Sequence, residues 1–152
     1  MTGDFDAWVR PHLLSMGRLA ARLAGDDAAD DVVQEALTRA WKRRSTYDAA
    51  KGEPLPWLLA ITADRAQRHR TRRRIELPLP EGAGAYVDHD TRLDVDRAIA
   101  RLPHKQRLAV ELHYFLGLDI AATAAALGCA VGTVKSQLFD ARAALRTQLG
   151  DH

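Results

Sequence analysis

Apolar residues along the first half of the chain recur at steps of three and four positions, the period of an amphipathic α-helix. One such run covers residues 5–23, and Pro11 is expected to delay or bend its start. A second run covers residues 32–41, and Asp26 or Asp27 stands where this helix needs an N-cap. These two runs predict the first two helices.

A third helix is predicted to begin at the paired prolines Pro54 and Pro56, because proline fits the first turn of a helix. The side chains expected on its apolar side are Trp57, Leu58, Ala60 and Ile61. The helix then continues into residues 65–74, which contain six arginines and no acid.

The second half of the chain predicts four more helices, separated by proline and glycine. The first ends before Pro103, and the others cover about residues 104–116, 119–127 and 131–149. Aromatic residues make up only 6% of the chain, which disfavours a fold built on strands. The expected fold class is therefore all-α, with a small three-helix domain followed by a small four-helix domain.

The last two helices carry the pattern of a helix-turn-helix. This motif needs a small residue where its helices touch, a residue that tolerates positive φ in the turn, and an apolar residue on the buried face of the second helix. Ala124, Gly128 and Val134 meet these needs in turn. A DNA-binding motif of this kind presents its second helix to the major groove. An ordinary helical hairpin is the alternative interpretation.

Composition excludes several classes of protein. The chain has 152 residues and one cysteine, Cys129, which can form neither an internal disulfide nor a cysteine zinc site. No apolar run is long enough for a transmembrane helix. The acidic and polar start, MTGDFDAW, lacks the features of a secretory signal. We therefore expect no membrane insertion and a cytoplasmic location.

The net charge of +2 argues against a nucleic-acid binder when it is taken over the whole chain. Its distribution changes that picture, because residues 1–74 carry +4, residues 75–92 carry −3 and residues 93–152 carry +1. The middle stretch also holds two prolines and two glycines and has no helical period. We interpret it as a flexible acidic linker between two domains. An irregular loop inside a single domain is the alternative.

The arginine-rich end of the third helix is a candidate phosphate-binding surface. Arg65, Arg68 and Arg72 fall on one helical face that can follow a nucleic-acid backbone. A solvated helix end is the alternative interpretation. Three nearby aromatic side chains offer base-stacking surfaces, or belong to a core: Trp41, Tyr47 and Trp57.

No enzyme signature stands out. The chain has neither a glycine-rich phosphate loop nor a histidine pair at metal-ligand spacing. The acidic stretch GDDAADD lies at the predicted start of a helix, where capping and the helix dipole explain it. We therefore expect no catalytic residue, no metal and no cofactor. A nuclease that uses the acidic stretch is a distant alternative.

The order of these parts resembles that of the bacterial RNA polymerase sigma factors of the extracytoplasmic-function class. The resemblance rests on DDVVQE with Trp41 six residues on, on PWLL, on a leucine–proline pair before a helix, and on VGTVKS. It covers about residues 5–149, and the spacing of these segments is more specific than any one of them.

The resemblance implies a role for each domain. The first would grip core polymerase and would open and read the minus-ten element, and the second would lay its last helix in the major groove of the minus-thirty-five element. The core-polymerase contacts that the resemblance implies are Asp31, Gln34, Glu35, Leu37 and Trp41. The implied minus-ten contacts are Tyr47, Lys51, Trp57, Asp64, Arg65, Arg68 and Arg72. The implied minus-thirty-five contacts are Thr133, Lys135, Ser136, Gln137 and Phe139.

Six positions depart from the family's pattern. Asp64 stands where members usually carry asparagine, and an acid faces DNA less favourably. The usual acidic pair and isoleucine in the first helix of the helix-turn-helix appear as Ala121, Ala122 and Thr123. Gln137 and Asp140 stand where arginine is common, and Asp140 removes a phosphate contact and adds repulsion. We therefore hypothesise weak or unusual minus-thirty-five binding.

The expected function is that of a sigma factor, a non-enzymatic subunit that recruits core RNA polymerase to a promoter and helps to melt it. Core polymerase and promoter DNA are the expected partners. The resemblance adds an anti-sigma factor as a further partner, which the residues themselves do not reveal. The alternative function is a stand-alone helix-turn-helix regulator that binds operator DNA. It would explain residues 93–152, but it would explain neither DDVVQE nor the arginine-rich helix.

Overall fold

A computed structural model describes residues 2–76 and 91–150 of the chain. Its helices are α1 (Thr2–Val9), α2 (Leu13–Ala24), α3 (Ala29–Lys42), α4 (Pro54–Glu76), α5 (Thr91–Ala100), α6 (His104–Val110), α7 (Ile120–Leu127) and α8 (Val131–Leu149). They belong to two compact units, Met1–Ile75 and Glu76–His152. The predicted all-α fold class is confirmed.

The predicted linker, residues 75–92, falls almost entirely on residues 77–90, which lie outside the described residues. Its role as an acidic connection stays a prediction, as do the boundaries proposed for the two domains.

The first predicted helix is interrupted at its proline. Pro11 lies in a short 3-10 turn, Arg10–His12, which joins α1 to α2. Proline has no backbone N–H to give to a continuous helix, so the chain tightens at this point. Pro11 therefore interrupts the run, and it does not delay its start, because α1 begins at Thr2.

The apolar stripes of α2, α3 and α4 are buried. The buried side chains of these helices include Met16, Leu19, Leu23, Val32, Ala36, Ala40, Leu58, Leu59 and Ile61. One detail of the prediction is wrong, because Leu59 is fully buried whereas Ala60 is partly exposed. The buried arc of α4 is centred on Leu58, Leu59 and Thr62, and Ala60 projects away from that centre.

The expected cap of α3 is also wrong. This helix begins at Ala29, and Ala28 occupies the N-cap position without any side-chain hydrogen bond. A turn in which the Ala28 N–H donates to the Gly25 carbonyl, at 3.2 Å, keeps both aspartates ahead of the helix. The Asp27 carboxylate instead accepts a hydrogen bond from Arg73 of α4 at 3.2 Å. A charge-assisted bond to α4 has replaced the expected bond to the backbone.

In the second unit, α8 packs against α5, α6 and α7. The core cluster there consists of Ile99, Leu102, Ala109, Val110, Ala124, Val134, Leu138 and Ala141. Val134, Leu138 and Ala141 are spaced by four and three residues, so they form a single buried stripe. The opposite side of α8 is left facing outward.

The turn between α7 and α8 has the geometry that the sequence predicts. Gly128 adopts the left-handed conformation, with φ 67° and ψ 36°. The Gly128 N–H donates to the Ala125 carbonyl and the Cys129 N–H to the Ala124 carbonyl, as in a Schellman motif. Ala124 is 5% exposed and Val134 is fully buried, so the proposed small contact residue and the proposed apolar anchor are both confirmed.

Candidate functional site

The residues of α3 that the resemblance assigns to core polymerase lie away from its buried stripe of Val32, Ala36 and Ala40. Asp31 and Gln34 are exposed. The other three members of the set are partly buried: Glu35, Leu37 and Trp41. This outward arc, defined by Asp31, Gln34, Glu35, Leu37 and Trp41, is called the α3 arc below.

One member of the α3 arc is paired with a residue assigned to DNA. The Glu35 Oε1 atom accepts a hydrogen bond from Arg72 of α4 at 3.2 Å. Both side chains are more than one third exposed. Such surface pairs contribute little free energy, so this pair can be separated at small cost.

Trp41 is held between two neighbours. Its ring meets Phe5 of α1 edge to face, with ring centroids 5.2 Å apart. The Arg44 guanidinium carbon lies 3.7 Å from the centroid of the Trp41 ring, which is a cation–π contact. The orientation of this tryptophan is therefore fixed before any partner binds.

Tyr47 and Trp57, both assigned to the minus-ten element, pack against each other with ring centroids 5.4 Å apart. Trp8 of α1 contacts both rings, at 5.1 Å from Tyr47 and 5.9 Å from Trp57. With Phe5 and Trp41 these rings form an aromatic cluster in which every member is partly exposed. The sequence identified Phe5 and Trp8 as positions of the first helix but not as members of this cluster.

The loop before α4 is ordered by its own polar groups. The Tyr47 hydroxyl donates to the Gly52 carbonyl at 3.0 Å. Asp48 accepts from the Ala50 N–H at 2.9 Å, at the start of a 3-10 turn that ends at Lys51. The side chain of Lys51 lies outside the described part of the structure. A cavity of about 320 Å³ lies beside this loop, and its lining residues are Asp4, Phe5, Trp8, Trp41, Arg44 and Tyr47.

Asp64, the departure on α4, is neutralised by its neighbours. Its Oδ2 atom accepts from Nη2 of Arg65 at 2.7 Å, and from Nε of Arg65 and Nε of Arg68 at 3.2 Å each. Partial burial acts to raise the pKa of Asp64, but the hydrogen bonds and charges of Arg65 and Arg68 outweigh it, so the pKa lies below its ordinary value.

One further arginine that the sequence did not single out, Arg39 of α3, lies near Arg65. The charge of Arg43, followed by desolvation and the charges of Arg65 and Arg68, lowers the pKa of Arg39, while Asp64 acts to raise it. Arg39 still carries its proton at neutral pH. Its side chain also lines a groove of about 320 Å³ with Gln34, Glu35, Thr38, Lys42 and Arg65. The four-residue spacing of Arg39 and Arg43 on α3 is the sequence signal that could have identified Arg39.

On α8, four of the five residues assigned to the minus-thirty-five element are exposed and Gln137 is partly buried. The exposed four are Thr133, Lys135, Ser136 and Phe139, of which Phe139 is 62% exposed. Asp140, a departure on this helix, is exposed as well.

The departure at Thr123 in α7 has a structural explanation. Asp119 caps this helix by accepting from the Ala122 N–H at 2.7 Å. The hydroxyl of the fully buried Thr123 donates to the Asp119 carbonyl at 2.8 Å. The polar side chain therefore satisfies its hydrogen bond inside its own helix, and the fold tolerates it without a partner from elsewhere.

Within residues 2–76 and 91–150, no three histidine, cysteine or acidic side chains are grouped so that they could hold a metal ion. None of the helices described there has the length and apolar character needed to cross a membrane.

Both halves of the chain match known protein families. Residues 8–75 match the family described as Sigma-70 region 2. Residues 92–145 match the family described as Sigma-70, region 4. The two matches occur in the order that the sequence predicts.

Individual proteins agree with these matches. The chain is 33% identical to the "ECF RNA polymerase sigma factor SigL" of Mycobacterium tuberculosis, over 91% of this chain and 84% of that protein. It is 32% identical to the "RNA polymerase sigma-E factor" of Streptomyces coelicolor, over 96% of this chain and 86% of that protein. Among solved structures, it is similar to the sigma factor RpoE of Bartonella quintana, crystallised with the anti-sigma factor NepR. The identity is 27%, the TM-score is 0.71, and the match covers 97% of each chain.

Proposed function

The chain belongs to the extracytoplasmic-function sigma factors, which direct RNA polymerase to promoters, and from that premise we propose how its two helical units divide the contacts. The first unit binds core polymerase through the α3 arc and reads the minus-ten element with the loop before α4 and with α4 itself. The second unit lays α8 in the major groove of the minus-thirty-five element. Bond synthesis belongs to the polymerase, and this chain supplies no catalytic residue.

One observation carries the assignment of α8. The helix is buried along the stripe Val134, Leu138 and Ala141 and is exposed at Lys135 and Phe139 on its other side. Because three helices support the buried side, the exposed side is presented as a rigid surface. The major groove is about 12 Å wide and admits one α-helix. Lys135 supplies a cation for a phosphate or a guanine edge, and Phe139 supplies an apolar contact for a thymine methyl group.

The α3 arc suits a protein partner. Asp31 and Gln34 are exposed polar groups, and Leu37 and Trp41 are partly exposed apolar ones. A polar rim next to an aromatic anchor is the usual composition of a protein interface. The fixed orientation of Trp41 against Phe5 and Arg44 lowers the entropy that binding must overcome.

The minus-ten contacts are proposed for residues of the same unit that lie next to the α3 arc. Tyr47 and Trp57 offer partly exposed ring faces on which an unpaired base can stack. Arg68 and Arg72 are more than half exposed and can meet the backbone of the melted strand.

Run-off transcription from a promoter with core polymerase tests this division. Lys135→Ala is expected to abolish most promoter-specific transcript while leaving assembly with core intact. Lys105→Ala, which removes an exposed lysine from α6, is the matched control and should transcribe normally. Normal transcription by Lys135→Ala would contradict the assignment of α8.

The α3 arc is tested by assembly. Asp31→Ala should weaken the complex with core polymerase, measured without DNA. The control is Asp6→Ala, which removes an exposed acid from α1. Equal affinity of both variants for core would contradict the assignment of Asp31.

A protein that holds the chain away from polymerase is a further part of the proposal. The similar RpoE of Bartonella quintana is in complex with the anti-sigma factor NepR. A partner of that kind would cover the α3 arc or the exposed side of α8 and would therefore compete with core polymerase or with DNA. The proposed location is the cytoplasm, because both of those partners are there.

A further inference from the structure

Four aromatic rings of the first unit form a curved wall. In order along this wall they are Trp41, Phe5, Trp8 and Tyr47, with neighbouring ring centroids 5.2, 5.9 and 5.1 Å apart. Their planes are inclined to one another by 73°, 35° and 61°, so the ring faces point in different directions. All four rings line the cavity of about 320 Å³ beside the loop before α4. Pockets that hold small molecules measure about 300–1,000 Å³ and are lined mostly by apolar and aromatic groups, so this cavity has the size and the lining for a small ligand.

The two charged residues that line this cavity lie at its exposed edge. Asp4 and Arg44 are exposed, whereas the four rings are partly buried. Arg44 is committed to one ring, because its Nη1 atom donates to the Trp41 carbonyl at 2.6 Å and its guanidinium carbon lies 3.7 Å from the Trp41 ring centroid. Asp4 makes no hydrogen bond and no ion pair with any other residue of the two described ranges. The cavity therefore combines several ring faces with one carboxylate that has no partner there.

An organic cation matches this combination of groups. The face of an aromatic ring attracts a cation that lies within about 6 Å of its centroid, and cages of several rings recognise quaternary ammonium groups. The Arg44 guanidinium over Trp41 shows that this wall already holds one cation. Asp4 supplies the opposite charge that a second cation needs. An anion would be repelled by Asp4 and by the ring faces and would be attracted by Arg44 alone.

We propose that this cavity binds a small organic cation of the trimethylammonium type, with its charged head against the rings of Phe5, Trp8 and Tyr47 and next to Asp4. The inference goes beyond the proposed function, because it adds a small-molecule ligand to the partners of the chain. Trp41 belongs to the α3 arc and Tyr47 to the proposed minus-ten contacts, so an occupant of the cavity touches side chains of both surfaces.

Substitutions of the two charged residues should change the affinity for a cation in opposite directions. Asp4→Asn removes the attracting charge and is expected to weaken binding by about two- to fivefold, the range for exposed charge interactions. Arg44→Gln removes a like charge and is expected to tighten binding by about the same factor. Asp6→Asn makes the same charge change as Asp4→Asn at an exposed position of α1 that does not line the cavity, so it should bind as the wild type does.

The test titrates the full chain with choline and follows the indole N–H resonances of its three tryptophans by NMR. Trp8 and Trp41 line the cavity, so their resonances should shift saturably and by more than that of Trp57, which does not line it. The matched probe is 3,3-dimethyl-1-butanol, in which a carbon atom replaces the nitrogen of choline. It keeps the shape without the charge and is expected to bind about fivefold more weakly. The anion 3,3-dimethylbutanoate has the same branched body and is expected to bind more weakly still.

A thermal melt of each variant identifies any that fails to fold, and the comparison of the three probes on the wild-type chain then decides the case. Equal affinity for choline and 3,3-dimethyl-1-butanol would overturn the proposal, because the cavity would then be a plain apolar pocket. Tighter binding of 3,3-dimethylbutanoate than of choline would overturn it, as would the absence of a saturable shift with choline. Equal affinity of Asp4→Asn and wild type for choline would overturn it too, because Asp4 supplies the attracting charge. All of these measurements use the free chain, so a failure of the proposed function in transcription would leave their outcome unchanged.

Discussion

At the scale of single residues, four arginines of α4 have acidic partners. Asp64 pairs with Arg65 and Arg68 on the same helix. Glu35 pairs with Arg72, and Asp27 pairs with Arg73, which ties the end of α4 to α3 and to the turn before it. These exposed pairs orient the guanidinium groups more than they stabilise the fold.

The pair of Asp27 and Arg73 can be tested by titration. The hydrogen bond and the charge of Arg73 lower the pKa of Asp27. A lowered folded pKa means that the pair stabilises the fold above the ordinary pKa of the carboxyl group, and that this contribution disappears as the pH falls through the lowered value. In Arg73→Ala, NMR titration of the Asp27 carboxyl carbon should show a pKa raised to the ordinary range. Arg18→Ala on α2 is the control, and an equal rise in both variants would contradict the pairing.

Asp140 gives a second prediction at this scale. Its exposed carboxylate lies on α8 next to Phe139, on the helix proposed to enter the major groove. Asp140→Asn removes repulsion from phosphate and should tighten holoenzyme binding by about two- to fivefold, the range for exposed charge interactions. The gain should appear on a promoter that has a minus-thirty-five element and be absent on a template without one. An equal gain on both templates would place the effect elsewhere than in the groove.

At the scale of elements, some helix ends can be predicted from the sequence and others cannot. Pro11 and Gly128 act through their own backbone preferences, so their effects are readable from the sequence. Asp27 was expected to cap α3 and instead bonds to Arg73, which lies 46 residues away. A local rule cannot anticipate a partner that only the tertiary fold brings close.

The turn of the helix-turn-helix carries a stability prediction. Gly128 has φ +67°, a conformation that costs a residue with a Cβ atom about 1–2 kcal/mol. Gly128→Ala should therefore destabilise the chain by about that amount in chemical denaturation. Gly132→Ala is the matched control, because Gly132 lies in α8 with a helical conformation and open space around its Cα. Alanine there should leave stability unchanged or raise it slightly. Equal effects at the two glycines would contradict the role of the left-handed turn.

The candidate site was only partly predictable for the same reason. The periodic burial of Val134 and Leu138 implies which side of α8 faces outward, so its exposed residues could be derived from the sequence. The groove lined by Arg39 and Arg65 could not be derived in this way, because the two arginines come from different helices and approach each other only after folding. The same holds for the contact of Trp8 with Tyr47 and Trp57.

At the scale of the whole molecule, the net charge of +2 is a poor guide to DNA binding. Residues 1–74 carry +4 and residues 93–152 carry only +1, and the −3 of residues 75–92 reduces the total to +2. The proposed DNA contacts are therefore unequal in charge. The second unit offers a shaped surface with few cations, and the first offers a concentrated cluster that is partly neutralised by its own acids.

This distribution predicts that the free chain binds promoter duplex weakly. The number of phosphate contacts sets both the affinity and its salt dependence, and the second unit has few cations to provide them. Fluorescence anisotropy of a labelled promoter should give a shallow salt dependence for the free chain and a steep one for the holoenzyme, in which polymerase melts the duplex and exposes it to α4. Lys135→Ala should lower the weak binding of the free chain, while Arg68→Gln should act mainly in the holoenzyme. Tight binding of duplex by the free chain, with the same salt slope as the holoenzyme, would contradict this division and favour a regulator that acts without polymerase.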